Sequence, residues 1–231
     1  MRRAWGIFCG GPALYGDAVP KPLMPVAERT LLHWYLSRLA PDQVSSICLL
    51  GDHEYGERLM EEARAAGVEA SVLTSAVGAS TLERARLFLT TQNASADVCL
   101  TYPDVFAQDR LDPVVEGFDV FLSVTALKSR FPRIHLDPYT HEVRSISNHT
   151  SPVPANPVHI FGGHIIGKAG TLRQLLHEFV SLSHRSAPTL EIDFFGWLIN
   201  GGQVGAIPLF GDWFQVDSPR DVSRLEGLLA R

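Results

Sequence analysis

The sequence predicts an α/β fold with a mostly parallel sheet, on three observations. Short apolar runs rich in Val, Ile, Leu and Cys alternate with amphipathic segments of helical spacing. Glycines stand where those helices should end. The first strand runs through a glycine loop into a helix, an order suited to holding phosphate at the carboxyl edge of an open sheet. With 231 residues, 45% of them hydrophobic, and no linker, a single domain over residues 1–231 is expected.

Composition excludes several classes. The formal net charge is −5 and the 20 Lys and Arg residues are scattered, so no basic stripe is present for nucleic acid, and a bound polyanion would be small. No apolar run has the length of a bilayer span, and the expectation is a cytoplasmic protein with no membrane partner. Cys9, Cys48 and Cys99 sit in apolar runs without a C-x-x-C pair, as small buried hydrophobes in a reducing compartment do. The nine histidines show neither a helical H-x-x-x-H pair nor a zinc-knuckle spacing. Oligomeric state is unreadable, which leaves room for a homo-oligomer.

In order, residues 4–9 read as a strand and 28–40 as a helix, with Leu32, Tyr35, Leu36 and Leu39 on one face. Between them lie Gly10, Gly11 and Gly16, whose backbone can approach a ligand closely, and Lys21, braced by Pro20 and Pro22. Residues 46–50 form the next strand and 54–66 a helix with Leu59, Met60 and Ala63 on one face and Gly67 as C-cap. A strand over 69–73 and a loop at Gly78 lead to a helix reaching residue 91, capped by Ser80 or Thr81, with Leu82, Ala85, Phe88 and Leu89 inward. Strand 97–101 then delivers Tyr102-Pro103-Asp104 at its carboxyl end, and strand 119–127 follows.

Residues 133–137 and 142–147 flank a turn and predict a hairpin. Strand 158–166 carries Gly162 and Gly163 in its middle, the mark of a bulge or of a closely approached backbone. A helix over 171–183, a helix over 190–200 stopped by Gly201-Gly202, and strands over 204–209 and 213–216 complete the pattern. Ser218-Pro219-Arg220-Asp221 opens the last helix with a cap, a proline at its first position and an acid in its first turn.

Taken alone, these features leave two readings open. The glycine spacing is neither G-x-G-x-x-G nor a Walker loop, so the loop is a nucleotide site or an ordinary turn. Asp104 and Asp217 each sit where a strand ends, as turn caps or as ligands.

The strand, Gly10-Gly11, Pro20-Lys21-Pro22 and Val26 resemble the opening of the sugar-phosphate nucleotidyltransferases. CLTYPDVF is similar to the CLTYGDGV-type segment of the glucose-1-phosphate cytidylyltransferases. The hairpin, the Gly-Gly strand, and the segment from Leu190-Glu191 through a Gly-Gln turn to a Trp-containing strand ending in Asp217 match as well, so the resemblance spans nearly the whole chain.

It implies a Rossmann-like three-layer sandwich with a mostly parallel central sheet and a small hairpin insertion. It also implies transfer of a nucleoside monophosphate, CMP favoured, from the triphosphate to a phosphorylated small acceptor such as a sugar 1-phosphate, within sugar-nucleotide biosynthesis. By the same resemblance Lys21, Asp104 and Asp217 would be catalytic, and Asp104 and Asp217 would hold Mg²⁺. Gly10, Gly11, Gly78 and Tyr102 would line the nucleotide, and Gly162, Gly163 and Glu191 the acceptor.

Three departures accompany it. The glycine loop is short and has no arginine, Pro103 replaces a glycine, and Ser147-Asn148-His149 stands where the family has a Glu-Lys pair. Lys128, Arg130, Arg133 or Arg144 are the candidates to supply that missing charge. The rival reading is a relative that keeps the fold and binds nucleotide or sugar phosphate without turnover. A nicotinamide-dependent oxidoreductase lacks both the glycine fingerprint and a ribose-binding acid.

Overall fold

A computed structural model describes residues 2–10, 19–107, 110–113, 116–126, 133–137, 139–147, 159–211 and 213–229. In chain order these form β1 (Arg3–Phe8), a 3-10 turn (Lys21–Leu23), β2 (Pro25–Val26), β3 (Arg29–Thr30), α1 (Leu31–Leu36), β4 (Val44–Asp52) and α2 (Gly56–Ala65). There follow β5 (Ser71–Ser75), α3 (Thr81–Thr91), β6 (Asp97–Thr101), β7 (Val105–Ala107), β8 (Val120–Ala126), β9 (Arg133–Leu136), β10 (Val143–Ser147) and β11 (His159–Lys168). The chain continues as α4 (Ala169–Leu182), a π-helical turn (Leu190–Phe194), α5 (Phe195–Asn200), β12 (Val204–Leu209), β13 (Trp213–Gln215) and α6 (Pro219–Leu229). The fold is mixed α/β with a central, mostly parallel sheet, as the alternation of strand and helix requires.

The described residues group into two compact units. The first takes residues within 1–88, 100–106 and 214–231, and the second those within 89–99 and 107–213. In the first unit β1 pairs in parallel with β4 and β4 with β5. All six residues of β1 are buried, as in a parallel strand covered on both faces. Gly51 lets α2 close on β4, since a Cβ there would lie 2.4 Å from Leu59 Cδ1.

The first helix is shorter than its apolar spacing suggests. Residues 25–30 form the small β2–β3 hairpin, with Ala27 at φ 52°. Thr30 Oγ1 accepts the N–H of His33 at 3.1 Å, so α1 starts only at Leu31. Beyond Leu36 the chain tightens into turns ahead of Pro41, which cannot continue a helix, and Leu39 lies outside α1. Leu31, Leu32, Tyr35 and Leu36 are nevertheless buried, each apolar side chain contributing roughly 1.5–3 kcal/mol.

Other terminators act as read. Gly67 has φ 70° after α2 and Gly202 φ 67° after α5. Ser80 caps α3 in a full capping box, its hydroxyl accepting from Glu83 N while Glu83 Oε2 accepts from Ser80 N.

In the second unit β8 pairs in parallel with β12 and antiparallel with β11, β11 with β9, and β9 with β10 in the expected hairpin. Gly162 and Gly163 do mark a bulge, because the β11–β8 register shifts between Phe161 and Ile165. In the hairpin turn the carboxylate of Asp137 accepts the N–H groups of Thr140 and Tyr139, each at 2.9 Å.

Those two backbone donors, with Arg144 assisting, hold the Asp137 pKa down at about 2. A depressed carboxyl pKa means the turn is fully supported above the ordinary value of roughly 3.9 and loses that support as pH falls toward 2. Carbon-detected NMR titration of Asp137 is expected to show a midpoint near the depressed value; an ordinary aspartate midpoint would refute the account.

Candidate nucleotide and phosphate site

Lys21 enters the site from a backbone with little freedom. Pro20 is extended at φ −62°, and the turn after it is closed by Leu23 N to Pro20 O at 2.9 Å and Met24 N to Lys21 O at 3.1 Å. Pro22, Leu23 and Met24 are buried, which anchors the turn and leaves only the side chain of Lys21 to move.

Asp104 lies between β6 and β7, at the carboxyl edge the alternation predicted. Asp217 lies two residues past the end of β13, after Val216. Its own N–H donates to Asp221 Oδ2 at 3.1 Å, and Ser218 Oγ donates to the same oxygen at 2.6 Å, so the cap of α6 also sets the backbone of Asp217. What joins the two aspartates is a two-stranded ribbon, β7 with β13, closed by Val216 N to Asp104 O at 3.0 Å. β7 has no counterpart among the strands read from the sequence.

All three side chains meet within the first unit. Lys21 Nζ donates to Asp104 Oδ2, and to Asp217 Oδ1 at 2.5 Å. The side chain of Lys21 is 18% exposed, that of Asp104 11% and that of Asp217 28%, so the cluster opens to solvent on the Asp217 side. Burial alone would lower the pKa of Lys21, but the charge of Asp104 and hydrogen bonds to both carboxylates outweigh it and hold the ammonium above its ordinary value. For Asp104 burial dominates and pushes the carboxyl up, opposed by Lys21.

Asp104 and Asp217 suit a hard divalent cation. Asp104 Oδ1 is buried and has no hydrogen-bond partner among the described residues, so one carboxylate oxygen is left to be satisfied by a ligand. Two carboxylates with a solvent-facing side match Mg²⁺, which keeps several waters and takes further oxygens from phosphate. Among the described residues no group of three or more His, Cys, Asp or Glu could hold a metal ion.

Gly10, two residues past the end of β1, meets an unforeseen neighbour. A Cβ on Gly10 would fall 2.2 Å from Arg84 Cζ, so the guanidinium of Arg84 packs on the glycine backbone. Arg84 is 3% exposed; it donates to Asp52 Oδ1 at 2.6 Å and to Ser75 Oγ at 3.1 Å. One signal was available, since positions 81, 84, 85 and 88 share a helix face, and Arg84 is a charge on a buried stripe. The neighbouring Cys9 is buried, which pushes its thiol far up and keeps it protonated.

Gly78, in the loop after β5, has φ 80°, a conformation that favours glycine. Tyr102 is half-buried, its ring 5.0 Å from that of Phe8. Gly11 and Gly16 lie outside the described residues.

Gly162, Gly163 and Glu191 belong to the second unit. A Cβ on Gly162 would lie 2.7 Å from both Leu209 Cδ1 and Ser123 Oγ, and Gly163 has φ 93°. Ser123 Oγ in turn accepts the N–H of His164 at 3.0 Å, so packing in the bulge already demands these glycines. Glu191 is half-buried in the π-helical turn, which Thr189 caps by accepting the N–H of Asp193. Of the basic candidates for the missing charge, Arg144 is engaged by Asp137 at 3.2 Å and Glu142 at 2.9 Å. Lys128 and Arg130 lie outside the described residues, as do Asn148 and His149, and Arg133 lies in β9.

The fold is that of the sugar-phosphate nucleotidyltransferases, in agreement with the resemblance read from the sequence. The chain superposes on the inositol-1-phosphate CTP transferase from T. maritima with a TM-score of 0.78 and 15% identity, covering 99% of this chain and 95% of that one. HddC from Yersinia pseudotuberculosis gives 0.76 and 15%, over 98% and 99% of the two chains. A protein from Bacillus anthracis assigned as a glucose-1-phosphate thymidylyltransferase gives 0.76 and 15%, over 99% and 95%. No family model and no curated protein sequence matches the chain.

Proposed function

We propose that the protein is a nucleotidyltransferase that moves a nucleoside monophosphate, CMP in preference, from its triphosphate to a phosphorylated small acceptor such as a sugar 1-phosphate. The observation that carries this reading is the meeting of Lys21, Asp104 and Asp217 at the carboxyl edge of the first unit. Three neighbours of like fold support it, two of them named for transfer to inositol 1-phosphate and glucose 1-phosphate, and HddC was also crystallised with GMP-PN.

The reaction is an in-line displacement. A phosphate oxygen of the acceptor forms a bond to the α-phosphorus, the bond to the β-phosphate oxygen breaks, and pyrophosphate leaves. Positioning and charge stabilisation supply most of the acceleration, and no covalent nucleophile is required. Asp104 and Asp217 would hold Mg²⁺, which when bound neutralises charge on the α-phosphate. Lys21, released toward the substrates, would steady either the attacking phosphate or the charge developing between the two substrates with a compact positive charge. Gly10, Gly11, Gly78 and Tyr102 would border the nucleotide, and Gly162, Gly163 and Glu191 the acceptor.

Pyrophosphate release across the four common nucleoside triphosphates and a panel of sugar and polyol phosphates tests the reading. Turnover is expected with at least one pair, fastest with CTP. Binding of nucleotide with no turnover in any pair would favour the silent relative.

A further inference from the structure

We propose that Lys21 is a built-in counter-cation that occupies the seat between Asp104 and Asp217 until a phosphate draws it away, so that divalent cation and nucleotide enter together rather than metal first. The inference rests on the reading that these two carboxylates hold a divalent cation.

The seat is already filled by charge. The ammonium is bonded to Asp104 Oδ2 and lies 2.5 Å from Asp217 Oδ1, so one oxygen of each carboxylate is committed to it. A divalent ion taking the same oxygens would stand beside a positive charge in a partly desolvated site, where repulsion is far stronger than in water. Removing the ammonium first is also unfavourable, because it leaves the buried charge of Asp104 unpaired. Neither half of the exchange is favourable alone.

A triphosphate resolves both halves at once. Its oxygens offer the ammonium a new partner and complete the coordination of a hard cation. The exchange needs only side-chain rotation at Lys21, since the turn that carries it is pinned by buried Pro22 and Leu23. Arg84, the buried cation on α3, is held by Asp52 and Ser75 rather than by this pair.

Mn²⁺ titration of the full chain without nucleotide, followed by EPR of the free ion, tests this. Lys21→Met removes the charge, and Lys21→Gln does so while its amide still donates to a carboxylate, in case the Met variant fails to fold. Both are expected to bind Mn²⁺ at least about tenfold more tightly than wild type, Lys21→Arg to stay as weak as wild type, and Asp217→Asn added to either neutral variant to erase the gain. In wild-type protein the thermal midpoint should rise more with Mn²⁺ and a non-hydrolysable CTP analogue together than the sum of the two alone.

Equal affinity in wild type and a folded neutral variant, lost on Asp217→Asn, would overturn the exchange and leave the metal reading standing. No Mn²⁺ binding by any folded variant would overturn both. Tighter binding by the neutral variants, with no pyrophosphate release by the wild-type protein from any substrate pair, would uphold the exchange and sink the enzymatic reading.

Discussion

Asp104→Asn is expected to reduce pyrophosphate release by about two to three orders of magnitude, the loss typical of removing one preorganised electrostatic partner of a transition state. The side chain keeps its shape but loses the negative charge that would hold the cation and set Lys21. The fold should survive, because the link from Asp104 to β13 runs through its backbone carbonyl to Val216 N. Burial already disfavours the charged form of Asp104, so neutralising it removes a desolvation cost as well as an ion pair. The thermal midpoint should therefore stay within a few degrees of wild type while activity collapses. Retained turnover in Asp104→Asn would remove this residue from the chemistry, and a large fall in midpoint would make it a structural residue instead.

The largest effect on stability is expected at the Arg84–Asp52 pair. Both residues are buried, and Asp52→Ala leaves the guanidinium without its charge partner beneath Gly10. Breaking one side of a buried ion pair costs about 3–5 kcal/mol. At about 2–4 °C per kcal/mol for a chain of this size, the midpoint should fall by roughly 6–20 °C. The double variant Asp52→Leu with Arg84→Met should recover most of that loss, since apolar replacement of both partners is often neutral or better. Thermal unfolding by circular dichroism of the single and double variants decides it: a fall of less than about 1 kcal/mol in the single variant would show that the pair does not hold these strands.

The fold was legible because its signals are local. Helix and strand periods act within a few residues, and so do the Ser80 and Ser218 caps and the glycines at 67 and 202, which appear in the structure where the pattern put them. Boundaries were less legible where a short hairpin competed, as at β2–β3, which takes the first residues of the expected helix. Gly162 and Gly163 were readable as a bulge, but nothing local revealed that Ser123 and Leu209 would leave no room for a side chain.

The candidate site divides along the same line. Pro20-Lys21-Pro22 and two aspartates at strand ends mark residue types and edges that the linear order of the chain makes visible. Their convergence depends on β7 pairing with β13, and Arg84 reaches Asp52 only once α3 lies beside β4 and β5, partners brought together from distant segments. Periodicity is set by each residue's immediate neighbours, whereas the meeting of charges is set by long-range pairing. A sequence can therefore display its elements openly while the chemistry of their ends waits on the packing.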